Sequence, residues 1–322
     1  MALSDTFLTA LYVLADDFCN SQTLPRRPGP DPALVPAEVL TLAMLSRLPR
    51  FASERDFYRF ADTRLRTAFP ALPDRSQLNR ALCAAHPLVV ALTSHLAEHL
   101  RGPAWGRPAA AYEALDTTAV PVRNAKRRGS GHLAGLADIG HSTRLGWYEG
   151  FSLLVAVDPA GVVTGYALGS ASTKEQTLCT SFLAARALCG AAPAEARALG
   201  VACAGRPAGG GAYLGDKGFA GEALHAEWSE RFGAAVATPP KRTDTKRVWP
   251  RGLRRQMVSL RQVVETSIGH VQAYASLQKD RPHSFVGLWV RVASSLALHN
   301  ARIWINRTLG RPDMAFAGQE GW

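Results

Sequence analysis

Apolar residues recur at helical spacing through the first hundred positions: Phe7, Leu8, Leu11, Tyr12 and Leu14, then a run over 39–48, then another over 78–96. Side chains three and four apart share one face of a helix, so these runs predict helices that bury a stripe against one another. Pro25, Pro28, Pro30 and Pro32 separate the first from the second, and Phe69-Pro70 with Pro73 separates the second from the third, because proline cannot continue a helix. A Gly- and Pro-rich linker over 101–107 follows, and beyond it the pattern changes. Residues 112–115 predict a short strand. Segments 151–157 and 162–168 flank Asp158-Pro159-Ala160-Gly161 as the arms of a hairpin. A helix is expected over 173–188, with Ser172 or Thr173 as its cap and Glu175 in its first turn. Then come a strand at 212–214, a helix at 221–232, a strand at 234–237 and a long helix from about Ser259. A last helix over 284–309 carries the apolar stripe Phe285, Leu288, Trp289, Val292, Leu296, Ile303 and Trp304, expected to cover one face of the sheet.

This order predicts an α/β domain with a mixed sheet and flanking helices over 110–309. It follows a mainly helical domain at 1–100 and a linker at 101–109, and a tail at 310–322 ends the chain. With 322 residues, 47% of them hydrophobic, the chain buries a sizeable core and is neither a disordered tail nor a stapled peptide. The five cysteines are irregularly spaced, with no CxxC and no nearby His pair, which argues against a disulfide framework and a structural zinc, and fits a reducing cytosol. No Lys or Arg precedes Arg26, so the start does not read as a signal peptide, and the longest apolar stretch, 285–298, is interrupted by Arg291. A cytoplasmic protein without a membrane partner is expected.

The formal charge of +11 favours a polyanionic partner, since each neutralised phosphate releases counterions. High Arg content also follows from genome composition, to which the Ala, Gly and Pro richness points. Placement is more informative. Residues 50–80 interleave Arg50, Arg55, Arg59, Arg64, Arg66, Arg75 and Arg80 with Phe51, Phe57, Tyr58, Phe60 and Phe69. That fits a small helical DNA-binding unit whose last helix, from about Ser76, lies on duplex DNA. It fits equally an amphipathic helix with core aromatics and solvated arginines.

Three acids stand out by position. Asp116 ends the first strand in Leu115-Asp116-Thr117-Thr118. Asp216 follows a second strand in Leu214-Gly215-Asp216-Lys217-Gly218-Phe219, and Glu265 lies in a helix in Arg261-Gln262-Val263-Val264-Glu265-Thr266. Carboxylates at the carboxyl ends of adjacent strands converge at one sheet edge. An all-oxygen cluster suits magnesium or manganese, and two such ions would serve phosphodiester attack. Singly, each has a plainer role: Asp116 capping a turn, Asp216 fixing a loop, Glu265 pairing with Arg261 one helical turn earlier.

The segments around these acids resemble DDE transposases of bacterial insertion sequences, most closely insertion-sequence family 982. The resemblance spans about 105–305 and is looser for 1–98. It implies a helical N-terminal region ahead of a ribonuclease H-like catalytic domain, with Asp116, Asp216 and Glu265 as the metal-binding triad. It further implies two Mg2+ or Mn2+ ions, double-stranded DNA as element ends and target, and at least a homodimer when DNA is bound. Many members carry a Lys and a His after a glycine in the second strand, where this chain has Gly150-Phe151-Ser152-Leu153-Leu154. They often open the next helix with His-Asp, where this chain has Lys174-Glu175-Gln176. A nuclease of the same fold without strand transfer, and a transposase-derived DNA-binding protein without a working metal site, are the rival functions.

Two basic groups flank the acids. Arg123, Lys126, Arg127 and Arg128 begin a loop that continues to Gly140, and Lys241, Arg242, Lys246, Arg247, Arg251, Arg254 and Arg255 lie between the last strand and the Glu265 helix. Both groups, with Lys217 and Arg261, are expected to hold DNA phosphates near the site. Trp249 either stacks on a base or anchors its loop. His132, His141, His270 and His299 lack well-spaced partner ligands and are not assigned to a metal.

Overall fold

The computed structural model describes residues 4–23, 31–106, 110–124, 133, 135–204, 211–240, 249–277, 282 and 284–321, with the side chains of Arg123 and Asn124 outside the description. Most of the linker 101–109 is described, but 107–109 is not. The chain divides into two compact units, one formed by 1–93 with 271–322 and the other by 94–270.

The first unit is helical. α1 (Asp5–Ser21) is capped by Ser4, whose hydroxyl accepts the Phe7 amide hydrogen at 3.1 Å, and buries Phe7, Leu11, Leu14 and Phe18 at the predicted spacing. α2 (Pro36–Leu45) starts on a proline, where a missing amide hydrogen costs nothing. α3 (Glu54–Arg64) and α4 (Arg75–Ala84) follow, and the apolar stretch 78–96 breaks at Ala85 into α4 and α5 (His86–Leu100). The C-terminal helix, labelled α10 below (Phe285–Thr308), belongs to this unit and packs against α1, α2 and α4. A 3.6-residue period tells which face of a helix is buried, but not what covers it. Buried polar groups pin this unit. Arg47 donates to Ser295 Oγ at 3.2 Å and to the Ser276 carbonyl at 2.8 Å. Arg302 donates to Gln319 Oε1 at 3.0 Å, so the stretch expected as a tail is folded in, with Phe316 and Gln319 buried.

The second unit is a mixed α/β layer, as its element order predicts. β1 (Glu113–Asn124) pairs antiparallel with β3 (Gly146–Val157) along its length. The far edge of β3 is shared by β2 (Asp138–Ser142) and β4 (Val163–Ser170), both antiparallel. On its other side β1 pairs in parallel with β5 (Ala212–Leu214), and β5 with β6 (Ala235–Ala237). The expected hairpin over Asp158-Pro159-Ala160-Gly161 is present: Asp158 Oδ1 accepts from Ala160 and Val162, and Gly161 takes φ +86°, where glycine is favoured. The expected loop from Arg123 to Gly140 is a correction. β1 extends through Arg123, and β2 adds a strand whose short polar sequence has no alternation to announce it.

α6 (Glu175–Ala187), α7 (Pro193–Ala198) and α8 (Glu222–Phe232) complete the layer before α9 (Arg251–Tyr274). Leu178, Phe182, Leu183 and Trp228 from α6 and α8 pack on Leu115, Leu154, Ala156 and Tyr213 of the sheet. Each such buried side chain contributes about 1.5–3 kcal/mol. Lys174 occupies the cap position of α6, with no side-chain cap bond, rather than Ser172 or Thr173, whose hydroxyls lie 3.2 and 3.0 Å from Ser170 Oγ. Beneath the start of β1, the buried Glu113 accepts from Arg101 and Arg186, each at 2.9 Å. Cys189 and Cys203 form a disulfide with their Cα atoms 5.1 Å apart, against the expectation of none. Folding brings these two residues together across the α7 segment, which spacing alone does not foretell. Among the described residues no single helix is long and apolar enough to cross a membrane.

Candidate active site

The register of β1 and β5 sets the site. Ala114 stands opposite Leu214 on these parallel strands. Two residues further along each chain come Asp116, the fourth residue of β1 and not its end as expected, and Asp216, just past the end of β5. Asp216 caps the turn after the strand: its Oδ1 accepts from the Gly218 amide at 2.7 Å and opens a tight turn over Lys217–Phe219. Asp116 Oδ1 accepts from the Thr117 amide at 2.8 Å.

A third carboxylate arrives from the first turn of α6. Glu175 Oε1 accepts from Thr117 Oγ1 at 2.5 Å. A Cβ on Gly218 would lie 1.6 Å from Glu175 Oε2 and 2.9 Å from Asp216 Oδ1. Glycine there is what lets two carboxylates share one small space. Glu265 comes from α9, with its side chain 59% exposed and its Oε1 3.9 Å from an Arg261 amine. The pairing of Glu265 with Arg261 is therefore present, but long. Arg261 itself is only 12% exposed, and its buried Nε has no hydrogen-bond partner among the described residues.

The electrostatics bind these groups into one cluster. Burial lifts the Asp116 carboxyl from 3.8 to about 6; the Thr117 amide and Arg261 oppose the rise, and the charges of Asp216 and Glu265 add to it. Glu175 is also raised, first by burial and further by Asp216, against Thr117 and Arg261. Among the described residues no group of three His, Cys, Asp or Glu forms a ready metal cage. Glu265 stands largely in solvent, and like charges do not close on one another without a cation between them. The donors themselves are all carboxylate oxygens, the set that hard divalent cations take, and the Gly218 cradle holds two of them together.

Of the basic residues expected here, Lys217 is exposed beside Asp216. Arg251, Arg254 and Arg255 are exposed on α9, not in a loop, because that helix begins eight residues before the expected Ser259. At 100° per residue, Arg251, Arg254 and Arg261 fall within about 40° of Glu265 around the helix. Trp249 is half-buried ahead of α9. The backbone of Arg123 is in β1, while Lys126, Arg127, Arg128, His132, Lys241, Arg242, Lys246 and Arg247 lie outside the described residues. His141 is exposed against Trp147, and His299 is buried beside Phe316. Glu175 is the site residue that sequence reading places in a helix's first turn, where similar transposases often carry His-Asp, without assigning it to the site. Its position depends on how α6 packs over β1, and no local motif carries that information.

No protein-family model, no curated protein and no solved structure matches this chain.

Proposed function

We propose that the chain is a divalent-cation-dependent DNA transposase of the DDE class, built on a ribonuclease H-like fold and most similar in its motifs to insertion-sequence family 982. The observation that carries this is the side-by-side placement of Asp116, inside β1, and Asp216, just past the carboxyl end of the neighbouring parallel β5, with Glu175 and Glu265 in the same electrostatic cluster. A six-stranded sheet in the order β2-β3-β1-β5-β6, with β4 also antiparallel on β3 and with β5 and β6 parallel to β1, further supports the fold assignment.

Asp116, Asp216 and Glu265, with Glu175 beside them, would hold two Mg2+ or Mn2+ ions, which when bound supply charge neutralisation at the scissile phosphate and activation of the attacking oxygen. Thr117 fixes the Glu175 carboxylate through its hydroxyl. Arg261 limits the repulsion among the acids. Arg254 lies eleven residues before Glu265, about 16 Å along the helix, so α9 offers cations to several backbone phosphates leading to the acids. Lys217, Arg251 and Arg255 add charge at the same edge, and the basic segments around Arg123, Lys126, Arg127, Arg128, Lys241, Arg242, Lys246 and Arg247 adjoin these elements in the chain. In the first step a water oxygen bonds to phosphorus and the 3′ oxygen leaves as a hydroxyl. In the second, that hydroxyl's oxygen bonds to the phosphorus of a target phosphodiester while the target strand's own 3′ oxygen leaves as a hydroxyl, and no nucleotide is consumed. The helical region 1–100 binds element ends, the protein acts in the cytoplasm on the nucleoid, and two copies pair the ends on DNA.

Duplexes covering the DNA that flanks the coding sequence provide the test. With Mg2+ or Mn2+, 3′-hydroxyl nicks and joined products are expected, and neither with EDTA. Nicks without joined products would replace the proposal with a nuclease. Binding without any cleavage would replace it with a DNA-binding protein.

A further inference from the structure

The helical unit of 1–93 and 271–322 contains a cleft of about 840 Å³ among the starts of α3, α4 and α10. Among the described residues Glu54 is the one carboxylate on its lining, and Arg291 holds it at 2.7 Å while Asn79 donates to it at 2.8 Å. The three remaining guanidiniums, Arg55, Arg75 and Arg80, are exposed and pair with no carboxylate among the described residues. The helix-start amides are largely spoken for, by Ser53, Asp74 and Ser284. The positive charge of the cleft therefore lies on the arginines. The interleaved aromatics do not share that surface, since Phe51, Phe57 and Phe69 are buried in the core.

The dimensions choose between a small anion and a polymer. One phosphate would leave most of this volume unfilled. Arg75 and Arg80 are five residues apart on α4, about 7.5 Å of rise, over which one DNA strand advances about two phosphates. We propose that this cleft holds the phosphodiester backbone of duplex DNA through Arg55, Arg75 and Arg80, as a contact distinct from the acid cluster. It rests on the proposed DNA substrate, but requires no catalysis.

The test uses the full chain in EDTA, with duplex binding followed by fluorescence anisotropy across a KCl series. Each lost phosphate contact flattens the slope of log K against log salt by about 0.9. Arg75→Gln with Arg80→Gln is therefore expected to flatten it by about 2 and to weaken binding by roughly tenfold at moderate salt. Arg144→Gln with Arg231→Gln removes equal charge at exposed positions outside the cleft and is expected to leave the slope unchanged. Equal changes in both variants, or none in the first, overturn the proposal. A second readout leaves the arginines intact. Cys83 lines the cleft and Cys19 does not, so duplex should slow maleimide labelling of Cys83 alone. Unprotected Cys83 under saturating duplex overturns the proposal, as does equal protection by inorganic phosphate. A protected Cys83 in a protein that never cleaves DNA sinks the transposase reading and leaves the cleft standing; cleavage with Cys83 unprotected does the reverse.

Discussion

Asp116→Asn is expected to abolish DNA cleavage and, at the same time, to stabilise the folded protein above neutral pH. In the unfolded chain this carboxyl ionises near 3.8; in the folded protein burial holds it near 6. The folded state therefore binds the proton more tightly. The contribution of Asp116 to stability is fully present below pH 4 and is lost as the pH rises through 6. A separation of that size is worth about 3 kcal/mol at full effect, and partial access of water to the site reduces it. Urea unfolding at pH 8 should show Asp116→Asn more stable by about 1–3 kcal/mol, with no such gain at pH 4. Cleavage should fall by about a thousandfold or more, because a group that acts with others as one unit is not replaced by them. A variant that is less stable at pH 8, or that still cuts, contradicts the assignment.

The second large effect is structural. Arg186 is fully buried, donates to Glu113 at 2.9 Å, to the Ala202 carbonyl at 2.7 Å and to the Thr164 carbonyl at 3.1 Å, and stacks its guanidinium on Phe182. Its partner Glu113 begins β1, three residues before Asp116. Removing Arg186 leaves the buried Glu113 and Asp158 to share Arg101 alone, an uncompensated buried charge that costs about 3–5 kcal/mol. Arg186→Met is therefore expected to lower Tm by about 10 °C, and adding Glu113→Gln should recover part of the loss. A single variant that melts with the wild type, or a double variant that melts below the single one, would show that the network is not what holds this end of the sheet.

The α/β order, the hairpin at Asp158 and the strand ending in Asp216 were legible because their signals are local: a change of hydrophobic period, turn residues and a glycine pair. β2 was not, since Asp138–Ser142 has neither apolar alternation nor β-branched residues beyond Ile139. The early start of α9 was hidden by Gly252 and a run of arginines whose exposure gives no stripe to read. Asp116 and Asp216 could be named from expected strand ends, although β1 runs on past Asp116 to Asn124; that they lie side by side required the Ala114–Leu214 pairing. Glu175 and the disulfide between Cys189 and Cys203 depend on packing between distant segments. The arginines at 50–80 were visible as charge, while the side of the helices on which they gather was not.

The central claim is that the acid cluster takes up divalent cations at the level of Asp116 and Asp216. Electron paramagnetic resonance of free Mn2+, titrated with protein at pH 7.5, counts bound ions directly. About two ions per chain are expected, lost in Asp116→Asn and in Asp216→Asn. Mn2+ that remains wholly free at millimolar protein, or that binds both variants as it binds the wild type, contradicts the account.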